Sequence, residues 1–309
     1  MRMRLALLPV AFALTLVGQV VVDDGPVGIG VWYAGPAARP PATTTSDVET
    51  LRGDLASIRR AGFNAITTWT SWREAEAQRG AYALAALERL VAVAAEADLR
   101  VMVVAYTETA PALAAGDRDG AARFVSYVSK RLSVQAYVLA VTGTPRVSDA
   151  VPSRIDVGAG GALDARLAMW SELARGARYL AFAGKEGPLS PAILSLGETA
   201  GVVTRNQALF APLRPRTGGV LRISGADSKS RVEVRLLESP DAIVIIGLNP
   251  DAAPRKVTIG FPPEMPEAIW QNLETGTSVS FIMTKEGPSF EHLFGPRDAL
   301  VLMIRKRLR

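Results

Sequence analysis

Two stretches of different grammar predict an α/β region followed by an all-β region. Through residue 212, short apolar β-branched runs alternate with helical patterns, as parallel strands joined by right-handed helical crossovers require. From Leu213 the helical periodicity stops, and only alternating or apolar β-rich runs remain, punctuated by turn signals. A third observation bounds the first: residues 27–212 hold six strand candidates, whereas a closed eight-unit barrel takes about 250 residues. The expected fold is an incomplete (β/α) barrel of TIM type with about six βα units, then a C-terminal antiparallel β-sandwich.

The elements follow in order. Residues 27–35 (VGIGVWYAG) form an apolar stretch bounded by Gly and Pro, a strand. After a Pro/Thr loop, Ser46-Asp47-Val48-Glu49 has capping-box spacing, with Ser46 expected at the N-cap. Gly62 ends that helix. Strands are expected at Asn64–Trp69, Arg100–Tyr106, Ala136–Val141, Arg154–Val157 and Arg178–Phe182. Helices are expected at Leu84–Ala97, Ala121–Leu132, Leu163–Arg175 and Thr199–Leu209. Between Val141 and Arg154 the chain is barely long enough for one parallel crossover, so two βα units are expected to be missing there. The later runs VLRIS, RVEVRLL, AIVIIGLN, KVTIGF, SVSFIM and ALVLMIRK supply the sandwich. Three segments result: 1–26 as leader, 27–212 as barrel and 213–309 as sandwich.

Composition narrows the function classes. The leader reads MRMR followed by a long apolar run, which is the pattern of a secretory signal peptide. No small-x-small cleavage site is evident, so an uncleaved membrane anchor is the alternative. Either way the rest of the chain is expected to be exported: periplasmic, extracellular or tethered to the outer face of the membrane. With no cysteine, the 309 residues hold no disulfide, thiolate nucleophile or thiolate-ligated zinc. The single histidine, His292, rules out multi-His metal sites, and its β-rich setting points to a structural role. No cofactor or metal is expected. A net charge of +5 with scattered basic residues argues against nucleic acid, and the basic tail from Arg305 reads as a solvated terminus. Nothing in the sequence sets an oligomeric state.

One segment is more specific. Gly62-Phe63-Asn64, then Trp72, Glu76, Gly80, Tyr82 and Leu87-Glu88, resembles the early barrel segment of clan A glycoside hydrolases, especially the family 42 beta-galactosidases. Ala77, Leu84 and Glu88 depart from that pattern, which has Pro, Phe and Asp there. Arg166, Trp170, Ala174, Gly176, Ala177, Gly197, Glu198 and Gly201 resemble the end of the same barrel. Gly247-Leu248-Asn249 and Asn272-Leu273-Glu274-Thr275-Gly276 resemble its appended β-domain.

The resemblance implies where chemistry should sit. Retaining glycosidases use two carboxyl groups about 5 Å apart; in this clan they are a Glu after Asn ending strand four and a Glu ending strand seven. Here strand four ends Val141-Thr142-Gly143-Thr144-Pro145, and no Asn-Glu pair occurs in the chain. The seventh-strand position falls at Asp156, the candidate nucleophile, against a buried ion pair. Glu108, just past the third strand, is the candidate for a relocated acid/base, against a plain loop carboxylate. Glu76 is expected to fix the loop after strand two, with a sugar contact as the alternative, and Glu186 to be solvated. Tyr33, Trp69, Trp72 and Tyr106 fall at strand ends, where they could stack on sugar faces or plug the barrel mouth. Trp170 reads as core. The Gly158–Gly161 run reads as a tight turn, since it lacks the lysine of a phosphate loop. The expected function is a glycoside hydrolase-like protein acting on or binding β-linked, galactoside-type carbohydrate without the standard acid/base Glu. The alternative is a non-catalytic carbohydrate-binding or scaffold protein of the envelope.

Overall fold

The computed structural model describes residues 26–33, 47–107, 119–144, 153–158, 161–216, 222–225, 230–263, 265 and 270–306. The leader, Ser46 and Glu108 lie outside them. No helix among the described residues is long and apolar enough to cross a membrane.

The first region runs β1 (Gly28–Trp32), α1 (Val48–Ala61), β2 (Ala65–Ser71), α2 (Trp72–Ala75), β3 (Glu76–Gln78), β4 (Ala81–Tyr82), α3 (Ala85–Glu96), β5 (Arg100–Tyr106), α4 (Gly120–Leu132) and β6 (Val138–Thr144). It continues with β7 (Arg154–Val157), α5 (Gly161–Ala174), β8 (Tyr179–Gly184), α6 (Pro191–Leu194), α7 (Gly197–Arg205) and α8 (Gln207–Phe210). The six long strands form one parallel sheet in the order β6-β5-β2-β1-β8-β7. Among the described residues that is the order of an eight-strand barrel read from its fourth strand through its first to its seventh, without the fifth and sixth. The short linker after β6 predicted this gap, since each parallel crossover needs about a dozen residues. The hairpin of β3 and β4 was not foreseen.

Helix patterning explains which face is covered. Leu51, Leu55 and Ile58 on α1, and Phe124, Val128 and Leu132 on α4, recur at three- and four-residue spacing and are buried. They pack on Ile29, Val31, Ile66, Val101, Val103 and Phe182, the outward-facing residues of the sheet. Asp47 caps α1 instead of Ser46, its side chain accepting from the Glu49 amide at 3.3 Å. Gly62 closes the helix with φ 116°, a left-handed value that favours glycine.

The inward face carries small residues where strands crowd. A Cβ on Gly30 would lie 2.0 Å from the Ala65 carbonyl oxygen. One on Gly28 would meet Leu139 and Tyr179 at 3.0 Å each, so Leu139 of β6 reaches across to β1 and fills the lumen. Two hydroxyls on the helix-covered face, Thr68 and Thr70 of β2, are buried without a hydrogen-bond partner among the described residues.

The second region contains β9 (Arg214–Pro215), β10 (Arg222–Ser224), β11 (Glu233–Glu238), β12 (Ala242–Asn249), β13 (Arg255–Gly260), β14 (Trp270–Asn272), β15 (Ser278–Val279), β16 (Ile282–Thr284), β17 (Gly287–Phe294) and β18 (Asp298–Arg305). They make two antiparallel sheets, ordered β10-β13-β17-β16 and β15-β14-β18-β12-β11-β9. Phe261, Trp270, Phe281 and Phe290 stack and interlock between them. His292 is half-buried against Phe294, and burial holds its pKa below the ordinary value. At the tail, Lys306 is held by Glu238 at 2.5 Å and by the Ser239 carbonyl at 2.8 Å, so it is not simply solvated.

Helix α5 joins the two regions. It is apolar nearly all round, because it packs on β7 and β8 on one side and on β12 and β18 on the other. Arg166 donates from Nε to Glu274 at 2.9 Å and from Nη1 to Asp298 at 3.2 Å, and Trp170 Nε1 donates to the same Glu274 at 3.0 Å. Burial pulls the Arg166 pKa down, but Glu274 and Asp298 outweigh it and the net shift is upward. A guanidinium fork between two carboxylates in a half-buried joint is a strong, directional contact.

Candidate functional site: the mouth of the open barrel

In a (β/α) barrel the chemistry sits at the C-terminal ends of the strands. Side chains alternate along a strand, so register decides which ones point inward. Trp32 pairs with Thr67, and Ser71 with Tyr106, so Trp32, Trp69 and Tyr106 all lie on the inward face of β1, β2 and β5. Across β8, Arg154 pairs with Ala181 and Asp156 with Ala183, placing both on that same face. The two alanines leave room above β8.

That room is crossed by Arg154. Its guanidinium carbon lies over the Trp32 ring at 5.2 Å from the centroid. Trp69 stacks on Trp32 with centroids 5.2 Å apart and planes 29° from parallel. β2 lies beside β1 and β7 lies two strands away on the other side, beyond β8, so Trp32 has both an indole and a guanidinium in ring contact. Arg154 Nε donates to Asp156 Oδ1 at 2.9 Å, in a pair whose side chains are 40% and 69% exposed.

The predicted site residues separate on these facts. Trp69 and Tyr106 are half-buried on the inward face, and Asp156 stands with them. Tyr33 does not: it is fully buried on the helix-covered face, and its hydroxyl donates to Asp54 of α1 at 2.8 Å. Burial, reinforced by that carboxylate, raises its phenol pKa well above the usual range. Its position one residue past Trp32 turns it outward. Trp72 is buried as well, its ring nitrogen donating to Glu76. Glu76 also accepts from the Gly80 amide at 2.6 Å, and so ties the turn between α2 and β4. Glu108 lies outside the described residues. Glu186 is exposed.

Trp32 and Arg154 are the functional candidates that sequence reading missed. Strand alternation over GIGVW, with two glycines on the inward face, was the available signal for Trp32. Arg154 had none, because its reach depends on the two alanines of a strand distant in sequence. A cleft of about 410 Å³ runs beside this cluster, between β7 and α5. Its carboxylates are engaged: Asp164 with Arg297 at 2.5 Å, and Glu172 with Arg175 at 2.7 Å and the Ser153 hydroxyl at 2.8 Å. Among the described residues no cluster of three or more acidic or histidine side chains could hold a metal ion.

No protein-family model matches this chain, and no curated protein does. Solved structures do. A Bacteroides fragilis NCTC 9343 protein provisionally named an alpha-galactosidase is 7% identical and matches over 92% of this chain and 80% of its own, with a TM-score of 0.55. A protein called a glycoside hydrolase matches at 10% identity over 92% and 98% of the two chains, TM-score 0.55. The alpha-amylase of Geobacillus thermoleovorans, complexed with acarbose, matches at 10% identity over 93% and 99%, TM-score 0.54. At such identities the likeness establishes the fold, which is that of barrel glycoside hydrolases carrying a β-domain.

Proposed function

We propose that this protein binds carbohydrate at the mouth of an open glycoside hydrolase-type barrel and does not hydrolyse it. The observation that carries the reading is the strand order. β6 occupies the fourth barrel position and ends without a carboxylate, while β7 occupies the seventh and carries Asp156. A retaining glycosidase needs a carboxyl group at each. Asp156 is moreover turned into an exposed ion pair with Arg154. The half-buried Trp69 and Tyr106 offer the aromatic surface on which the apolar faces of a sugar ring stack. The amylase of similar fold holds acarbose, a carbohydrate analogue.

The finer features of this reading are β-linked, galactoside-type carbohydrate as ligand, export through the N-terminal segment, and a division into segments 1–26, 27–212 and 213–309. The test is a titration of tryptophan fluorescence with β-linked galacto-oligosaccharides, run beside a panel of aryl β-glycosides with the parent protein, Asp156→Ala and Glu108→Ala. Saturable quenching that weakens in Trp69→Ala, with no turnover in any variant, is expected. Turnover that vanishes with Asp156 or Glu108 would instead mean a rebuilt carboxylate pair and a working hydrolase.

A further inference from the structure

We infer that the mouth takes an acidic sugar, with Arg154 as the residue that reads its carboxylate. This rests on the carbohydrate reading above and names the ligand class for the same site. A guanidinium carries five N–H donors in a rigid plane that matches a carboxylate edge-on. Arg154 spends one of them, Nε, on Asp156. Neither of its Nη nitrogens has a hydrogen-bond partner among the described residues. Yet the side chain is not loose: its guanidinium carbon lies over the Trp32 ring, which itself stacks on Trp69. The result is an oriented fork with its outer edge unpaired, beside aromatic surface that can carry the sugar ring. An anion arriving there meets little uncompensated negative charge, because Asp164 and Glu172 in the adjoining cleft are paired with Arg297 and Arg175. Among the described residues Asp156 is the competing carboxylate beside Arg154, and at 69% exposure solvent screens it.

A uronate suits this geometry better than a sulfated sugar, since two coplanar oxygens can accept from the fork in parallel. The ligand carboxylate docks on the Nη edge while Nε stays with Asp156, and no bond is made or broken.

The test uses the purified protein and three probes: β-1,4-galactotetraose, its C6-oxidised galacturonate form and its 6-O-sulfated form. Affinities are read by calorimetry at low and moderate salt. The uronate form is expected to bind about tenfold tighter than the neutral one, the scale of one charge-assisted hydrogen bond. The advantage should shrink with salt and disappear in Arg154→Gln. In Asp156→Asn it should grow several-fold, because the competing carboxylate is gone. Unaltered melting temperatures for both variants keep a folding effect apart. Equal binding of neutral and acidic forms would overturn this inference and leave the carbohydrate reading standing. So would a uronate preference that survives Arg154→Gln. A sulfated probe that binds as tightly as the uronate would overturn the carboxylate assignment, and no binding by any probe would overturn both readings.

Discussion

The base of the barrel and its mouth are built differently. At the base and the interdomain joint, nearly every residue that carries the family resemblance is engaged in close packing or a directed hydrogen bond. Gly62 ends α1 against Gly197 at the start of α7, and Cβ atoms there would fall 2.3 and 2.0 Å from backbone oxygens across the contact. Asn64 clamps β1, accepting from the Ile29 amide at 2.8 Å and donating to the Val27 carbonyl at 2.9 Å. Arg166 and Trp170 converge on Glu274 across the joint. At the mouth the resemblance thins: one strand position lacks its carboxylate, and the other spends an aspartate on an exposed ion pair. The contrast teaches that close packing at the base and charge placement at the mouth are set by separate groups of residues.

Breaking the base should cost most. Gly197→Ala drives a methyl into the Ala61 carbonyl oxygen, and thermal unfolding should report a loss of about 3 kcal/mol. Glu274→Ala strands the Arg166 guanidinium and the Trp170 N–H in a half-buried joint. A loss of about 2–3 kcal/mol is expected in urea unfolding, and Asp298 limits it by keeping part of the charge compensated. An effect near zero for either would mean that the joint is slack and the contrast false. Thr68→Val should act the other way. It removes a buried hydroxyl without a partner, and a gain of about 1 kcal/mol is expected from the same melts. At the mouth, Arg154→Gln should shift stability by less than about 0.5 kcal/mol, since the pair is exposed and screened. A larger cost would mean that the Arg154–Trp32–Trp69 stack holds the sheet together instead of facing a ligand.

Most of the architecture was legible because it follows from local rules. Periodicity located the six strands, Gly62 marked a helix end, and a linker too short for two crossovers announced the missing units. The site was harder. Trp69 and Tyr106 fell on the inward face as strand-end aromatics should, but Tyr33 and Trp72 did not. A single step of alternation turns Tyr33 under α1, and a short helix after β2 folds Trp72 back onto Glu76. Arg154 could not be read at all, because its role depends on Ala181 and Ala183 being small and on Trp32 standing across the strand between them. Such contacts are long-range, and composition does not record them. The capping box misled by one residue, since Asp47 can cap as well as a serine.

The most direct test of the central claim is product analysis at saturating ligand. The protein would be held with a β-linked galacto-oligosaccharide at a concentration that fully quenches its fluorescence, and the sugar sized by mass spectrometry over a day. Binding without cleavage predicts an oligosaccharide of unchanged length and a quench that reverses on dilution. Shortened products that accumulate with enzyme concentration and disappear in Asp156→Ala would contradict it.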